Sequence, residues 1–445
     1  MKKALIVVDL GFGDSGKGTI VDALVRRHSA GAVVRFNGGA QAGHNVVDAV
    51  SGQHHCFAQF GAGTFVPGCK TFLAYPFLVN PLAMFHEEQF LRNKGVTNAL
   101  NRMSVDSRCL VTTPYHRAMN RLREMARNQH TGKCHGSCGM GIGETVAYSM
   151  AARDQALTVN DLLYPEVATH KLETLRSVLH GCAGYLKLNP DNKIAAKELL
   201  TFEYPVAELM ERYTAWTRQV EVLNPLDVTR FLNGHDTLVF EGAQGVLLDE
   251  DFGFQPHTTW SKTTALNANR VLDEAECRHS RTVIGVLRAY ATRHGAGPFP
   301  LYDDVLTREL PDKYNPENPW QTRLLCGWWD FDMLRYSARV AKAQGGLDVL
   351  ALTCLDQAQR FSEFFWSDGL GVKYPEDCTL APAEEAQRAL TAALSDVRSI
   401  QRFSYQFPDA GALIELFEKQ LQLRVAVYSE GRTSVEKSFV TSVLA

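Results

Sequence analysis

The chain carries Gly11-Phe12-Gly13-Asp14-Ser15-Gly16-Lys17-Gly18-Thr19 directly after the apolar run Ala4 to Val8 and before a predicted helix that begins at Ile20. This stretch matches the first seven positions of a phosphate-binding loop. In such a loop, glycines let backbone N–H groups point at phosphate, and a lysine at a helix N-terminus neutralises its charge. Strand, glycine loop and helix in this order predict an α/β fold with a phosphate site after the first strand.

The eighth position of the loop departs from the pattern. Gly18 stands where an ordinary P-loop NTPase has the Ser or Thr that ligates magnesium, so a magnesium ion must be held another way. Asp14 lies inside the loop, where phosphate would repel its carboxylate unless it binds the metal or takes a proton from a substrate. The alternative is a glycine-rich turn without a ligand.

A second polar loop follows the apolar stretch Val33 to Phe36. It runs from Asn37 to Asn45 and contains three glycines, three amide side chains and His44. This composition is too polar and flexible for a core segment, so we expect a functional loop. A histidine beside Asp14 and Lys17 suits a general acid or a phosphate contact, although a loop histidine with only structural partners is the plainer interpretation.

The rest of the chain predicts one large α/β body. The strand candidates are Ala4 to Val8, Ala32 to Phe36, Thr237 to Glu241, Thr282 to Ala289, Asp348 to Leu352 and Arg424 to Tyr428. The helix candidates include Tyr115 to Asn128, Pro205 to Val222, Asp330 to Ala343 and Ala383 to Ser395. Short strands that are apolar on both faces are typical of a mostly parallel central sheet flanked by helices. We expect a single domain over residues 1–445, with a helical subregion at about 90–235.

Composition excludes several classes of protein. The 445 residues include 46 Lys and Arg against 49 Asp and Glu, a formal net charge of -3, which disfavours nucleic acid as a partner. No apolar stretch approaches the ~18 residues of a membrane span. The ten cysteines are dispersed and no export signal precedes the first strand, so we expect reduced thiols and a cytoplasmic protein. Cys134 to Cys138 lacks a second ligand pair at zinc spacing, so we expect no zinc site.

Several motifs in a collinear order resemble those of the adenylosuccinate synthetase family. Gly13 to Gly18 is similar to its GDEGKG loop, with Ser15 in place of glutamate, and Gln41 to His44 is similar to its NAGH loop. Further matches are Gly139 to Gly143 for GRGIG, Phe240 to Asp249 for FEGAQGTLLD, Ala289 to Pro300 for AYSTRVGAGPFP, Gly327-Trp328 for the end of TGW, and Thr353 to Asp356 for TKLD. The resemblance covers essentially the whole chain.

The resemblance implies a two-step ligase reaction. GTP phosphorylates the 6-oxygen of IMP, and an amine then displaces the phosphate from the purine ring. By match with the family, Asp14 is the base and a Mg²⁺ ligand, and His44 is the acid that assists phosphoryl transfer. Lys17 holds phosphate, the Gly43 carbonyl helps to hold the metal, and Gln244 orients the purine.

The resemblance also implies two sets of binding residues. Those expected to contact GTP are Gly13, Ser15, Gly16, Lys17, Gly18, Gly43, His44, Asp356, Ser429 and Gly431. Those expected to contact IMP are Asp14, Gln41, Ser137, Cys138, Arg153, Gln244, Thr259 and His294. GTP is favoured over ATP because the Asp356 carboxylate would accept from the guanine N–H groups and discriminate against adenine. A homodimer is expected, since the family completes each site with an arginine of the partner, and Arg153 is the candidate here.

One departure concerns the amine donor. The family carries TTGRRRRTGW before the GW pair, and two of those arginines clamp the carboxylates of aspartate. The corresponding stretch here is Pro319-Trp320-Gln321-Thr322-Arg323-Leu324-Leu325-Cys326-Gly327-Trp328, in which Arg323 is the one arginine. Counted back from Gly327, Thr322 and Leu324 occupy the clamp positions. A desolvated dicarboxylate needs two charged or bidentate partners, so we predict a small amine such as ammonia or hydroxylamine, or another amino acid.

Three alternatives stay open on the sequence. Other basic residues, such as Arg293 or Lys313, could rebuild the clamp, which would make the protein a true adenylosuccinate synthetase acting on aspartate. Ser15 could make room for a 2-amino purine. A catalytically inactive nucleotide-binding paralogue is disfavoured because Asp14 and His44 are both retained.

Overall fold

The computed structural model describes residues 2–132, 137–312, 314–315, 320, 323–397, 400–406 and 408–440. In chain order the strands are β1 (Lys3–Asp9), β2 (Ala32–Arg35), β3 (His44–Val47), β4 (His54–Phe57), β5 (Lys70–Leu73), β6 (Leu78–Val79), β7 (Met103–Asp106), β8 (Leu110–Val111), β9 (Glu221–Leu223), β10 (Thr237–Glu241), β11 (Ser280–Arg288), β12 (Ala291–His294), β13 (Leu324–Gly327), β14 (Trp329–Asp330), β15 (Val349–Thr353), β16 (Glu363–Ser367), β17 (Phe403–Gln406), β18 (Val425–Ser429) and β19 (Lys437–Phe439).

Helices connect these strands. They are α1 (Lys17–His28), α2 (Pro81–Arg92), α3 (Pro114–Thr131), α4 (Ile142–Ala151), α5 (Pro165–Gly184), α6 (Lys193–Leu199), α7 (Val206–Thr217), α8 (Pro225–Asn233), α9 (Leu266–Glu274), α10 (Asp304–Glu309), α11 (Phe331–Ala343), α12 (Leu355–Ala358), α13 (Glu384–Ser395) and α14 (Ala410–Leu421). No helix in the described ranges is long and apolar enough to cross a membrane.

The central sheet has ten strands in the order β19-β18-β15-β11-β1-β10-β2-β5-β7-β9. All neighbouring strands are parallel except β18 and β19, which are antiparallel. All six strand candidates of the sequence belong to this sheet, so the predicted fold class is confirmed. Parallel strands place their carboxyl ends along one edge, where the connecting loops can share a ligand.

The two faces of the sheet are buried in different apolar clusters. Along β1, Leu5 and Val7 pack into one cluster, and Ala4, Ile6 and Val8 pack into another. Successive residues of a strand point to opposite faces, so a strand covered on both sides is apolar throughout. This is why β1 and its neighbours lack the polar alternation of a half-exposed strand.

The middle third of the chain is mostly helical, as predicted, but one helix boundary was wrong. The pattern from Pro205 to Val222 predicted a single helix, whereas α7 ends at Thr217 and β9 pairs with β7 at the edge of the sheet. Tertiary strand pairing overrides a weak local preference here. Trp216 of α7 and Leu5 of β1 belong to one apolar cluster. That the whole chain forms one domain stays a prediction.

Candidate active site

A cavity of about 1030 Å³ lies at the carboxyl edge of the sheet. Loops that follow β1, β2, β10, β11 and β15 contribute to its lining. The predicted site residues that line it are Gly13, Asp14, Gly16, Lys17, Gly18, Gln41, Gly43, His44, Ser137, Cys138, Gln244, Thr259, His294, Asp356 and Gly431. The cavity is at the upper end of the size range for one drug-sized ligand, so it has room for more than one small substrate.

Other predicted site residues do not line the cavity. Ser15 lies beneath the phosphate loop, where its N–H donates to Asp9 Oδ2 at 3.2 Å. Ser429 is buried and its hydroxyl donates to the Gly431 carbonyl at 3.0 Å. Arg153 lies in the exposed turn Arg153–Gln155. In a single chain it is therefore not part of the site.

Asp14 occupies an unusual place in the phosphate loop. Its φ is 57°, a left-handed conformation that costs a residue with a Cβ of order 1 kcal/mol or more and is found where the surroundings enforce it. Arg288 donates through Nε to the Asp14 carbonyl oxygen. Burial raises the pKa of the Asp14 carboxyl above its ordinary value, although Arg288 and Lys17 oppose this shift. A raised pKa makes the ionised carboxylate a better base.

Lys17 joins two loops of the site. Its ammonium donates to Asp9 Oδ2 and to the Gln244 carbonyl, each at 2.8 Å. Asp9 is fully buried and also accepts from the Gly11 N–H at 2.8 Å. The sequence interpretation missed Asp9, although an acidic residue at the end of an apolar strand, directly before a glycine loop, was a usable signal.

His44 is the first residue of β3 and is held by a buried carboxylate. Its Nδ1 donates to Oε1 of Glu241, the last residue of β10. Burial lowers the pKa of His44 to about 4, although Glu241 opposes this shift. Glu241 lies within the FEGAQG-like stretch, but its role was missed because only the fold brings it behind His44.

The packing of His44 against position 18 explains why this residue is a glycine. A Cβ added at Gly18 would lie 2.9 Å from the His44 Cβ and 3.0 Å from the Asn45 carbonyl oxygen. The strand that carries His44 therefore occupies the space that a Ser or Thr side chain would need. Because the His44 strand packs so closely against Gly18, position 18 cannot carry the hydroxyl side chain that ligates magnesium in an ordinary P-loop NTPase.

The described residues contain no group of three or more His, Cys, Asp or Glu side chains that could hold a metal ion. This fits Mg²⁺ as a nucleotide-bound ion, because Mg²⁺ keeps several waters and is usually bound by one or two carboxylates together with substrate phosphates. Asp14 and Gly43, the two ligands expected from the sequence, both line the cavity, and so do the carboxylates of Glu144, Asp312 and Asp356.

Two amide side chains of the cavity have polar atoms without a hydrogen-bond partner in the described part of the chain. Within the described part of the chain, both polar atoms of the Gln41 amide and Oε1 of Gln244 are buried without a partner. Buried polar groups are normally satisfied, so these atoms indicate a polar ligand. A side-chain amide offers both donors and an acceptor, which suits the edge of a purine ring.

The far end of the cavity contains Asp356, in the short helix α12 after β15. The neighbouring loop is held by Lys437, whose ammonium donates to the Gly431 and Thr433 carbonyls at 2.8 Å each. Burial lowers the pKa of Lys437 to about 8. The sequence interpretation missed Lys437, since nothing local to β19 points to the cavity.

Two of the predicted amine-donor residues, Arg323 and Leu324, do not line the cavity. Arg323 donates to the Tyr302 hydroxyl at 3.1 Å, and Leu324 pairs with His294 in the two-stranded antiparallel sheet of β12 and β13. Thr322 lies outside the described residues. Arg293 is buried and donates to the carbonyls of Ala296 and Pro298, so it does not rebuild the clamp.

Lys313, the other candidate for the clamp, also lies outside the described residues, as do Cys134 and His135. Glu309, Asp312 and Arg288 line the cavity near the predicted donor segment. Arg288 Nη2 lies 3.4 Å from Asp312 Oδ2, so its charge is partly balanced.

Comparison with known proteins identifies similar sequences along nearly the whole chain. A family model described as adenylosuccinate synthetase matches residues 6–436. The adenylosuccinate synthetase of Neisseria gonorrhoeae (strain ATCC 700825 / FA 1090) is 32% identical over 369 residues, which are 80% of this chain and 78% of that protein. The one from Acidovorax sp. (strain JS42) is 34% identical over 371 residues, 79% of this chain and 77% of that protein.

Two solved structures share the fold. Fully ligated adenylosuccinate synthetase from Plasmodium falciparum superposes with a TM-score of 0.76 at 21% identity, covering 98% of this chain and 99% of that one. Succinoaminodeoxyadenylate synthetase of cyanophage S-2L, bound to dGMP and to dATP as an energy donor, gives a TM-score of 0.60 at 16% identity, covering 100% and 97%.

Proposed function

The chain belongs to the adenylosuccinate synthetase family of GTP-dependent ligases that form a C–N bond, and on this premise we propose that it phosphorylates the 6-oxygen of IMP and replaces it with an amine. The observation that carries the proposal is the convergence of Asp14, Lys17, His44 and Gln244 on one cavity. These side chains come from three separate loops. An inactive relative would have no need to keep all four.

The arrangement supports a separate role for each of these residues in the two chemical steps. Asp14 removes the proton from the ring nitrogen next to the 6-oxygen, while Gln244 orients the purine, and the oxygen then attacks the γ-phosphorus of GTP. Lys17 and His44 stabilise the charge that develops on the transferring group and on the leaving diphosphate. An amine next attacks the ring carbon, and inorganic phosphate leaves. Mg²⁺, when bound by Asp14 and the Gly43 carbonyl, neutralises phosphate charge.

GTP is the proposed phosphoryl donor, and Asp356 supports this choice. Its carboxylate lines the far end of the cavity and has no donor of its own when ionised. It can therefore accept from the guanine ring N–H and 2-amino groups, whereas adenine would present an acceptor at the ring nitrogen. Gly431 and Ser429, in a loop organised by Lys437, would frame the base.

For the amine we propose a donor without two carboxylates, such as ammonia, hydroxylamine or another amino acid. Arg323 contacts Tyr302 outside the cavity, Leu324 is apolar, and Arg293 is bound to backbone carbonyls. The neighbouring lining is acidic at Glu309 and Asp312. Arg288 lies beside Asp312 and is already paired with it, so a desolvated dicarboxylate would lack the two bidentate partners that it needs.

Aspartate is the second candidate. It is favoured by the names of the relatives that are 32% and 34% identical to this chain, all of them adenylosuccinate synthetases. A 2-amino purine in place of IMP is less well supported, because Ser15 lies beneath the loop and not in the cavity lining. We expect the protein to act in the cytoplasm.

We further propose a homodimer in which Arg153 reaches the nucleotide phosphate of the neighbouring subunit. The exposed position of Arg153, away from its own cavity, supports this role. We expect the R153A variant to bind IMP more weakly and to keep its KM for GTP. Activity restored by mixing R153A with D14N would identify a shared site, and its absence would contradict one.

The experiment that tests the function is GDP release by the purified protein with GTP, Mg²⁺ and IMP. Aspartate, ammonia and hydroxylamine are supplied in parallel, and the nucleotide product is identified by mass. We expect turnover with a small amine. Aspartate-dependent formation of adenylosuccinate would show that the clamp is rebuilt elsewhere. No GDP release with any amine, while D14N and the unmodified protein behave alike, would contradict the ligase assignment.

A further inference from the structure

A short loop, residues 137–141, lies between the cavity and helix α3, and Asn120 of α3 holds it. Asn120 lines the cavity, but the proposed reaction gives it no role. Its Nδ2 donates to Ser137 Oγ at 3.0 Å, and its Oδ1 accepts from the Gly141 N–H at 3.2 Å. One side chain therefore binds both ends of the loop.

The loop and α3 pack too closely for the loop to move freely. Gly141 has a φ of 87°, and a Cβ there would lie 2.7 Å from the Arg117 nitrogen and 2.8 Å from the His116 carbonyl carbon. Arg121, on the same helix, donates through Nε to the Gly139 carbonyl at 3.0 Å. Because the loop is held at both ends and in its middle, its side chains have a fixed orientation.

The chemistry of Gly141 fixes the direction of both hydrogen bonds of Asn120. A backbone N–H can only donate, so the amide oxygen of Asn120 faces Gly141 and its NH₂ group faces Ser137. The Ser137 oxygen is therefore the acceptor in this contact, and its hydroxyl proton points elsewhere. Among the described residues no acceptor takes that proton, and Ser137 lines the cavity. The proton is available to a ligand.

The surroundings of Ser137 suit an anionic ligand. The first residues of α4, Ile142 to Glu144, line the same cavity, and the N–H groups at a helix start attract negative charge. A Cβ added at Gly39 would lie 3.1 Å from Gln41 Oε1 and 2.8 Å from Ile142 Cδ1, so the Gln41 amide lies beside this helix start. Within the described part of the chain, that amide has no partner. A hydroxyl, an amide and a helix start thus offer donors to one ligand group.

The charged side chains of the same wall are already paired. Arg123 Nε lies 3.2 Å from Glu144 Oε1, and Arg127 Nη1 donates to Glu124 Oε1 at 3.2 Å. All four residues line the cavity. Because each arginine has a carboxylate beside it, binding of a phosphate here depends on neutral donors that point at it. A hydrogen bond to a charged group contributes more than one between neutral groups, so the direction of the Ser137 hydroxyl affects affinity.

We propose that Asn120 is a positioning residue for the phosphate group of the nucleotide substrate: it makes Ser137 an acceptor toward α3 and so leaves the Ser137 hydroxyl proton for the phosphate. The inference rests on the proposed function only for the identity of the nucleotide, IMP. An amide is required at position 120. A carboxylate of the same shape would accept from Gly141 and from Ser137, and would take the hydroxyl proton away from the ligand.

The first test measures the binding of ribose 5-phosphate, a probe with the phosphate but without the purine, to the full chain by isothermal titration calorimetry. N120D and S137A should each weaken binding by about tenfold, as expected for a hydrogen bond to a charged group. In the S137A background, N120D should change the affinity by less than about twofold, because no hydroxyl proton remains to be redirected. N128D adds the same charge at an exposed position of α3 and, as the matched control, should bind like the unmodified protein.

Three results of this test would overturn the proposal. They are equal losses from N120D in both backgrounds, which would assign the effect to the added charge, an unchanged affinity in N120D or S137A, and no binding of the probe by the unmodified protein. If N120D does not fold, N120A takes its place in the same cycle. A loss that S137A abolishes then supports the proposal, and a loss of equal size in both backgrounds contradicts it.

The second test separates substrate binding from chemistry by GDP release. N120D should raise the KM for IMP by about tenfold and change kcat and the KM for GTP by less than about twofold. Inosine, which lacks the phosphate, should react with the same kcat/KM in N120D and the unmodified protein. A fall in kcat at an unchanged KM for IMP would contradict the proposal. If no amine supports turnover but the ribose 5-phosphate cycle behaves as expected, the proposed function fails and the role of Asn120 in phosphate binding stands.

Discussion

The two ends of the cavity differ in how they are built. At the phosphoryl-transfer end, defined by Asp14, Lys17, His44 and Gln244, each side chain lines the cavity and lies in, or directly after, a loop that follows a strand of the central sheet. At the donor end, defined by Glu309 and Asp312, the described lining residues are not those of the family's arginine clamp. The proposed function thus implies that phosphoryl transfer is kept while the pocket for the second substrate is rebuilt.

Substitutions at the phosphoryl-transfer end should have the largest effects. D14N and H44N should each lower kcat by about 10²- to 10⁴-fold, because they remove the proposed base and the proposed acid of the first step. GDP release with IMP measures this. H55N, at a buried histidine outside the cavity, is the control. A near-normal rate in D14N or H44N would show that substitutions at the phosphoryl-transfer end do not have the largest effects.

The pH dependence of the unmodified enzyme follows from Asp14. A base must be ionised, so kcat/KM for IMP, which reports the free enzyme, should fall as the pH is lowered through the pKa of Asp14. Burial raises that pKa, so the acidic limb should lie above the range of an ordinary aspartate. The limb is measured from initial rates of GDP release between about pH 4 and about 8, with IMP well below its KM. A rate that stays flat down to the ordinary range would contradict the role of Asp14.

Gly18→Ser should be the next largest change, and it should not rescue magnesium binding. Its side chain would lie against His44 and the Asn45 carbonyl, at 3.0 Å or less, so the His44 strand must shift. A misplaced catalytic group costs about 10²-fold in rate. Gly181→Ala, where nothing lies within 4 Å, is the control and should keep full activity. Activity of G18S equal to that of the unmodified enzyme would show that His44 is not held by this contact.

At the donor end, D312N should have a moderate effect on specificity. Removing this carboxylate frees Arg288 from a partner at 3.4 Å and lowers the negative charge of the pocket. We expect kcat/KM for aspartate to rise by about tenfold relative to a small neutral amine, which corresponds to about 1.4 kcal/mol. D368N, at a surface ion pair with Arg335, is the control. An unchanged ratio would indicate that the amine binds elsewhere in the cavity.

The smallest effect is expected for R323Q. Arg323 contacts the exposed side of Tyr302 and not the cavity, so kcat and the KM values for all substrates should stay within about twofold, in line with other surface substitutions. Steady-state kinetics with each amine measures this. A large rise in the KM for one amine would assign Arg323 to the donor pocket and restore part of the family's clamp.

Local sequence was a good guide to the residues around phosphate. Asp14, Lys17 and His44 lie in short polar loops whose composition already excluded a core role, and the structure brings all three to one cavity. Asp9 also had a local signal, because it ends β1 directly before the glycine loop and its partner Lys17 lies in the same segment. Glu241 could not be found in this way. It is a buried carboxylate at the end of β10, and its partner His44 is chosen by the order of the strands and not by nearby sequence.

The sequence by itself determined the parallel α/β fold, the phosphate loop and the absence of a hydroxyl at Gly18, because strands, turns and helix starts are set by residues a few positions apart. Only the tertiary structure decided why Gly18 must be glycine, which carboxylate holds His44, and that Arg323 and Leu324 lie outside the cavity. These features depend on contacts between residues that are distant in the chain. Such contacts exist only once the sheet has ordered its strands.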